Sequence, residues 1–403
     1  MKKPREKSSA KQIVRAPSQA LAVRSAAIVA RGLRDLARDS NWRVKKVFTG
    51  KSPRLAISPA GQVCAVSHFA VQGTERLAVY DIESGTLSLA LSVPGEKAAC
   101  PPETPAALAW SPAGRQVVAA WGGWRPELHA FDLQEKKLQG VCSGFSEFPN
   151  WLAWSETGKY FAAGSAGGPQ ARLRLWTAAP DVAGKMPLTK DPVSEFNAAA
   201  WARASEAAAS REKKAEDAPH QPGEATLGPP PPAGETDEDA FRGFGRMAFR
   251  PDEKQLASVV EIEGDWADDS VVLLGLPSLR DQNVFNAPGH ITDIAWTCDS
   301  RQLILCSAGQ AFRAAPESVE PEPLPFGAEL CVCHPSLPLG LFFSSWLKNS
   351  AKGRLFLVDL GSMEVFDEHP AEGIAGLRWS ADGSKAYALT REGLAYIYEP
   401  PLL

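Results

Sequence analysis

Five kinds of short constellation in this 403-residue chain have the composition of a chemical site, and each fails on spacing or setting. Gly50-Lys51-Ser52 ends like a phosphate-cradling loop, but position 45 is Lys, where the converging backbone N–H groups of such a loop need a further glycine. Gly164-Ser165-Ala166-Gly167 is one residue short of a nucleophile elbow and falls in a predicted strand-to-strand loop instead of a strand-to-helix turn. The six histidines (68, 129, 220, 290, 334, 369) show no metal-ligand spacing. The seven cysteines (64, 100, 142, 298, 306, 331, 333) form no Cys-x-x-Cys pair, and Cys331 and Cys333 alternate with Val332 as strand residues do. They read as buried thiols in a reducing compartment. Asp268-Asp269 could bind a cation, yet two adjacent acids in a loop read first as solvated. No catalytic residue, metal site or cofactor is assigned, and the expectation is a non-enzyme.

The elements that would position any site are set by an internal repeat. A short apolar strand ends on a large residue, and a polar turn and a second apolar strand follow it. The pattern reads Leu55-Ala56-Ile57-Ser58-Pro59-Ala60-Gly61, Leu108-Ala109-Trp110-Ser111-Pro112-Ala113-Gly114 and Leu152-Ala153-Trp154-Ser155-Glu156-Thr157-Gly158. Further copies are anchored on Phe249, Trp296, Cys333 and Trp379. Anchors at 57, 110, 154, 249, 296, 333 and 379 are spaced 53, 44, 95, 47, 37 and 46 residues apart. Apart from the 95, these bracket the length of one four-stranded propeller blade, about 40–45 residues. In most copies a third strand ends on a large or branched residue followed by a polar one: Tyr80-Asp81, Phe131-Asp132, Trp176-Thr177, Val358-Asp359 and Tyr398-Glu399.

Gly289-His290 followed by Thr292-Asp293-Ile294-Ala295-Trp296 resembles the opening and first strand of a WD repeat. The resemblance to the WD-repeat family covers about residues 47–403. It implies an all-β, seven-bladed β-propeller. The copies are degenerate, with one Gly-His pair and no Trp-Asp dipeptide at a third-strand end. Trp201, 47 residues after Trp154, marks eight blades as the alternative. Between Trp201 and Ala240, however, there is no Val, Ile or Tyr, so residues 203–240 are expected to be a disordered, acidic, Pro-rich insertion with 4 basic and 9 acidic residues. Trp42-Arg43-Val44-Lys45-Lys46-Val47-Phe48-Thr49 has strand composition and precedes the first repeat. It is expected to supply the missing outer strand of the last blade and close the ring, as is common in the family that the sequence resembles. The domain reading is therefore a propeller over 42–403 and a separate arm over 1–41.

In a propeller of this kind, the loop between the second and third strands and the loop entering the next blade emerge on one face. That face collects Phe69, Trp121, Trp124, Arg125, Phe148, Trp151, Trp266, Trp346 and Lys348, with Phe145 beside them. Tryptophan and arginine in Gly-containing loops are the composition of a binding hot spot, because they contribute large contact area for little lost rotamer freedom. The competing reading is that individual rings fold back as lids over the blades.

The first 46 residues carry 13 Lys or Arg and 3 acids, while the whole chain has a net charge of −4. From about 18 to 39 the pattern fits an amphipathic helix, with Arg24, Arg31 and Arg38 along one line. Such an arm would dock on an acidic partner, on an anionic membrane surface or on the propeller's own acidic side. Nucleic acid is disfavoured, because no basic cluster with interleaved aromatics continues into the propeller. No secretory signal or membrane span is read, and a cytoplasmic monomer is expected; the arm's composition is also that of organelle transit peptides. The leading function is a non-catalytic scaffold that binds a protein or peptide on the aromatic loop face. The rival, a propeller enzyme or small-ligand binder working in the central channel, would need converging polar side chains on inner strands that read as Ala, Leu, Ile and Trp.

Overall fold

The Ser of each Ser-Pro-Ala-Gly or Ser-x-x-Gly turn closes a β-hairpin with its side chain. Ser58 Oγ accepts the N–H of Val63 at 3.2 Å, and Ser111, Ser155 and Ser380 accept those of Gln116, Tyr160 and Lys385 at 3.0–3.1 Å. In the fifth copy Thr297 does the same for Gln302. The last turn residue sits in the left-handed region (φ 69–75° at Gly61, Gly114, Gly158 and Gly383), which explains the recurring glycine. At the other end of the repeat, Asp81, Asp132 and Asp359 terminate third strands and accept backbone N–H groups of the following turn at 2.7–2.9 Å. The repeated residues are thus turn chemistry, placed at both hairpin corners of a blade.

The computed structural model describes residues 42–49, 54–67, 75–92, 106–121, 126–142, 145–177, 191–197, 241–262, 268–345 and 353–399. These form seven four-stranded antiparallel sheets. The first strands of blades one to seven are Leu55–Ile57, Ala107–Trp110, Pro149–Trp154, Phe241–Phe249, Ile291–Trp296, Leu330–Cys333 and Ile374–Trp379. Each contacts the first strand of the next blade, and the seventh contacts the first, so they line the axis of a closed ring. Six blades complete their own fourth strand. In blade seven the fourth strand is Trp42–Lys46, paired antiparallel with Leu394–Tyr398 in the register Trp42↔Tyr398 to Lys46↔Leu394.

The core is not one cluster but seven, one at each junction between neighbouring blades. The second strands show why. Gln116–Trp121 is buried along its whole length, and its period-2 alternation sends Val117, Ala119 and Trp121 toward blade one and Val118 and Ala120 toward blade three. A strand covered on both faces must be apolar throughout, as this one nearly is.

Every blade is complete without residues 198–240, which lie outside the described residues along with the proposed helix 18–39. Deletion of 203–240 is therefore expected to leave Tm within a few degrees of the intact chain, since loop length alters closure entropy only slowly. A fall on the order of 10 °C in a melting curve would show that the segment contributes to the packed ring.

Candidate functional site

The aromatic loop face is best defined at blade three. The segment leading from the fourth strand of blade two (Lys137–Cys142) into Pro149–Trp154 carries Phe145 and Phe148, and Trp151 follows in the strand itself. Phe148 is 44% exposed. The Arg246 guanidinium, from blade four, lies over the Trp151 ring at 4.3 Å, and that of Arg174, from the third strand Leu173–Thr177, lies over Phe145 at 4.6 Å. Both cations are held in place. Arg246 Nε donates to Thr292 O at 3.0 Å and lies 3.5 Å from Asp293; Arg174 Nε donates to Glu195 at 2.9 Å. The loop Ser165–Arg172 beside them is ordered by a short 3₁₀ turn at Gly168–Gln170 and by the N–H of Ala166 donating to Phe148 O. The result is an exposed phenyl ring in the segment between Phe145 and Trp151, each of which carries a fixed arginine over its ring: the Phe145–Arg174 couple on the blade-two side of blade three and the Trp151–Arg246 couple on its blade-four side.

Of the residues expected on this face, Trp121 is corrected. It is 6% exposed and ends a second strand, with its indole in the apolar junction between blades one and two and 5.8 Å from the His129 ring. The strand alternation that buries Val117 and Ala119 carries it inward. Phe148 and Trp151 lie where described above. Phe69, Trp124, Arg125, Trp266, Trp346 and Lys348, and the arm residues Arg24, Arg31 and Arg38, lie outside the described residues. Arg246 and Arg174 are additions. Their signal was available in the sequence, because an arginine inside a strand of small and apolar residues must reach a partner or the surface.

The acid pair Asp268-Asp269 is structural. Asp268 accepts the N–H of Gly289 at 2.7 Å, and Asp269 accepts the N–H of Ile291 and bonds His290 Nδ1, both at 2.8 Å. The two acids hold the entrance to blade five, and Ser307 completes the knot by donating to the carbonyls of Pro288 and His290. The hydrogen bond to Asp269 raises the His290 pKa above the ordinary histidine value. Ser165 donates to and accepts from the backbone of Arg172, which commits its hydroxyl.

The central channel is more polar than the sequence suggested. Arg246, Asp293 and Arg378 all belong to first strands. Asp293 accepts the N–H of Cys331 at 3.1 Å while burial pushes its carboxyl up; Thr292 Oγ1 donates to Glu329 O at 2.6 Å. Arg246, Thr292 and Asp293 stitch the first strands of blades four, five and six together. Among the described residues no group of three or more His, Cys, Asp and Glu is placed to hold a metal ion. The six described cysteines are free thiols, and burial lifts that of Cys64 to about 12.

No protein-family model and no curated protein matches this chain. Among solved structures, a chain in a crystal structure of a mitotic checkpoint complex superposes with a TM-score of 0.57 at 14% sequence identity, covering 90% of this chain and 94% of that one. At this identity the likeness speaks to fold, and together with the seven sheets it makes the chain a seven-bladed propeller that resembles the WD-like β-propellers.

Proposed function

We propose that the chain is a non-catalytic interaction scaffold that grips a protein or peptide on the face where each blade is entered. The observation that carries this reading is the segment entering blade three: Phe148 is exposed there, and the neighbouring Phe145 and Trp151 each carry a fixed arginine over their ring. Phenyl and indole rings with arginines already locked in place bind at little entropic cost. Trp124, Trp266 and Trp346 extend the same face in this reading, with Phe69, Arg125 and Lys348 beside them. The propeller acts as a cytoplasmic monomer, and Arg24, Arg31 and Arg38 of the basic arm supply a second, electrostatic contact to an acidic partner or an anionic membrane surface.

The test compares affinity capture by the wild-type chain with capture by Phe148→Ala and Arg246→Ala, read by quantitative mass spectrometry alongside melting curves. A hot-spot truncation costs about 2 kcal/mol or more, so the bound partner should fall roughly thirtyfold, at unchanged Tm for Phe148→Ala and with a lowered Tm for Arg246→Ala, which also removes the bonds to Thr292 and Asp293. Unchanged capture by both variants would move the binding surface away from blade three.

A further inference from the structure

The strand Trp42–Lys46 begins at the opposite face of the ring, beside a charged cavity. Trp42 pairs with Tyr398, the last residue of blade seven's third strand, so the strand starts on the side that carries the turns Ser380–Lys385 and Ile82–Gly85. Between those turns, where blades one and seven meet, lies an open cavity of about 490 Å³ walled by Gln62, Asp81, Glu83, Asp382, Lys385 and Tyr387.

Its charges are unevenly matched. Glu83 is held by Lys45 at 2.7 Å, Arg43 at 3.2 Å and Lys385 at 3.5 Å, and Lys385 also bonds Glu399 at 2.7 Å. Asp81 and Asp382 form no ion pair with any described cation. Asp81 accepts the N–H and hydroxyl of Ser84, both at 2.7 Å. Asp382 accepts Ser380 Oγ, Ser384 Oγ and Ser384 N–H at 2.6–3.0 Å, and those bonds hold its carboxyl down at about 2. Two carboxylates with no described counter-cation thus border a cavity large enough for side chains.

The chain outside the described residues supplies the complement. Residues 1–41 hold ten Lys or Arg and three acids. Arg38 and Arg34 lie four and eight residues before Trp42, and at about 3.3–3.6 Å per extended residue both are within reach of the cavity. The walls begin one residue from Trp42, at the Arg43–Glu83 pair. A tethered segment meets its site at an effective concentration of about a millimolar, so contacts too weak to hold a free peptide suffice.

We propose that the basic segment 1–41 docks on this cavity of its own propeller, with Arg34 and Arg38 against Asp81 and Asp382. While docked, the segment is withheld from any external acidic surface, and a competitor for the cavity would release it.

Limited trypsin digestion of the full chain tests this. Cleavage after Arg34 and Arg38 should be slower than after Lys7 and Lys11, and Asp81→Asn with Asp382→Asn, or raised salt, should speed it about fivefold, the worth of one or two partly exposed ion pairs. Cleavage at the wild-type rate in a double variant of unchanged Tm overturns the proposal. Should that variant fail to fold, Arg34→Glu with Arg38→Glu, outside the propeller, replaces it: hydrogen exchange across residues 30–41 is then faster than in wild type, and unaltered exchange overturns the docking.

Discussion

A chain beginning at residue 50 should lose most of its cooperative melting transition, whereas one beginning at residue 42 should melt close to the intact protein. The difference is eight residues that make two kinds of contact, and magnitudes separate them. Arg43 and Lys45 reach Glu83 and Glu399, but these side chains are about 35–43% exposed, and exposed pairs contribute about 0–1 kcal/mol each. Trp42, Val47 and Phe48 are 7%, 2% and 4% exposed. Trp42 packs among Tyr396, Tyr398 and Trp379, and Val47 and Phe48 among Ile57, Ile82 and Ile397. Burial of such side chains is worth about 1.5–3 kcal/mol apiece, and a Trp at the upper end or beyond. Together with the bared edge of Leu394–Tyr398, the loss rivals a domain's whole net stability of about 5–15 kcal/mol. Raised salt, which screens only the ion pairs, should move Tm by no more than a few degrees. Equal melting of the two truncations would mean that the ring does not depend on this strand.

The seven blades were legible because their signal is turn chemistry. Ser58, Ser111, Ser155 and Ser380 recur because a hydroxyl must satisfy the same N–H at each first corner, and Asp81, Asp132 and Asp359 recur for the equivalent reason at the second. Fourth strands carry no comparable signal. Ser194–Phe196 and Glu322–Pro323 are three and two residues long, too short for alternation or composition to single them out. The binding face was legible in part. Phe145, Phe148 and Trp151 could be read from the segment entering blade three. The arginines that frame them come from strands, and strand register, not loop composition, decides which way a residue such as Trp121 or Arg246 points.

Gly383→Val should be among the most damaging single substitutions, removing about 4 kcal/mol, and it would do so through a histidine in the next blade. Gly383 has φ 71°, where a β-branched residue is strained, and a Cβ there would lie 2.3 Å from the His334 ring. His334 fills that space for a reason. Its Nδ1 accepts the N–H groups of Ser336 and Leu337 at 3.1 and 3.0 Å, its Nε2 donates to Gly383 O at 3.1 Å, and its ring meets Trp379 edge-on at 4.6 Å. One imidazole thus closes the blade-six hairpin, where blades one, two, three, five and seven use Ser or Thr, and ties it to blade seven. Only the neutral ring can do this, since a proton on Nδ1 would displace two backbone donors. Burial accordingly lowers the His334 pKa below the usual histidine value. A folded pKa below the unfolded one gives stability that is present above the unfolded value and lost as pH falls through the folded one. His290, 65% exposed and bonded to Asp269, is shifted the other way, so its smaller contribution is present at low pH and fades as pH rises through its folded value. Melting curves of wild type, His334→Gln and His290→Gln across this range separate the two. His334→Gln should be less stable near neutrality but lose less on acidification, because the glutamine has no proton to gain. An acid slope identical to wild type would place the titrating group elsewhere and leave His334 a packing residue alone.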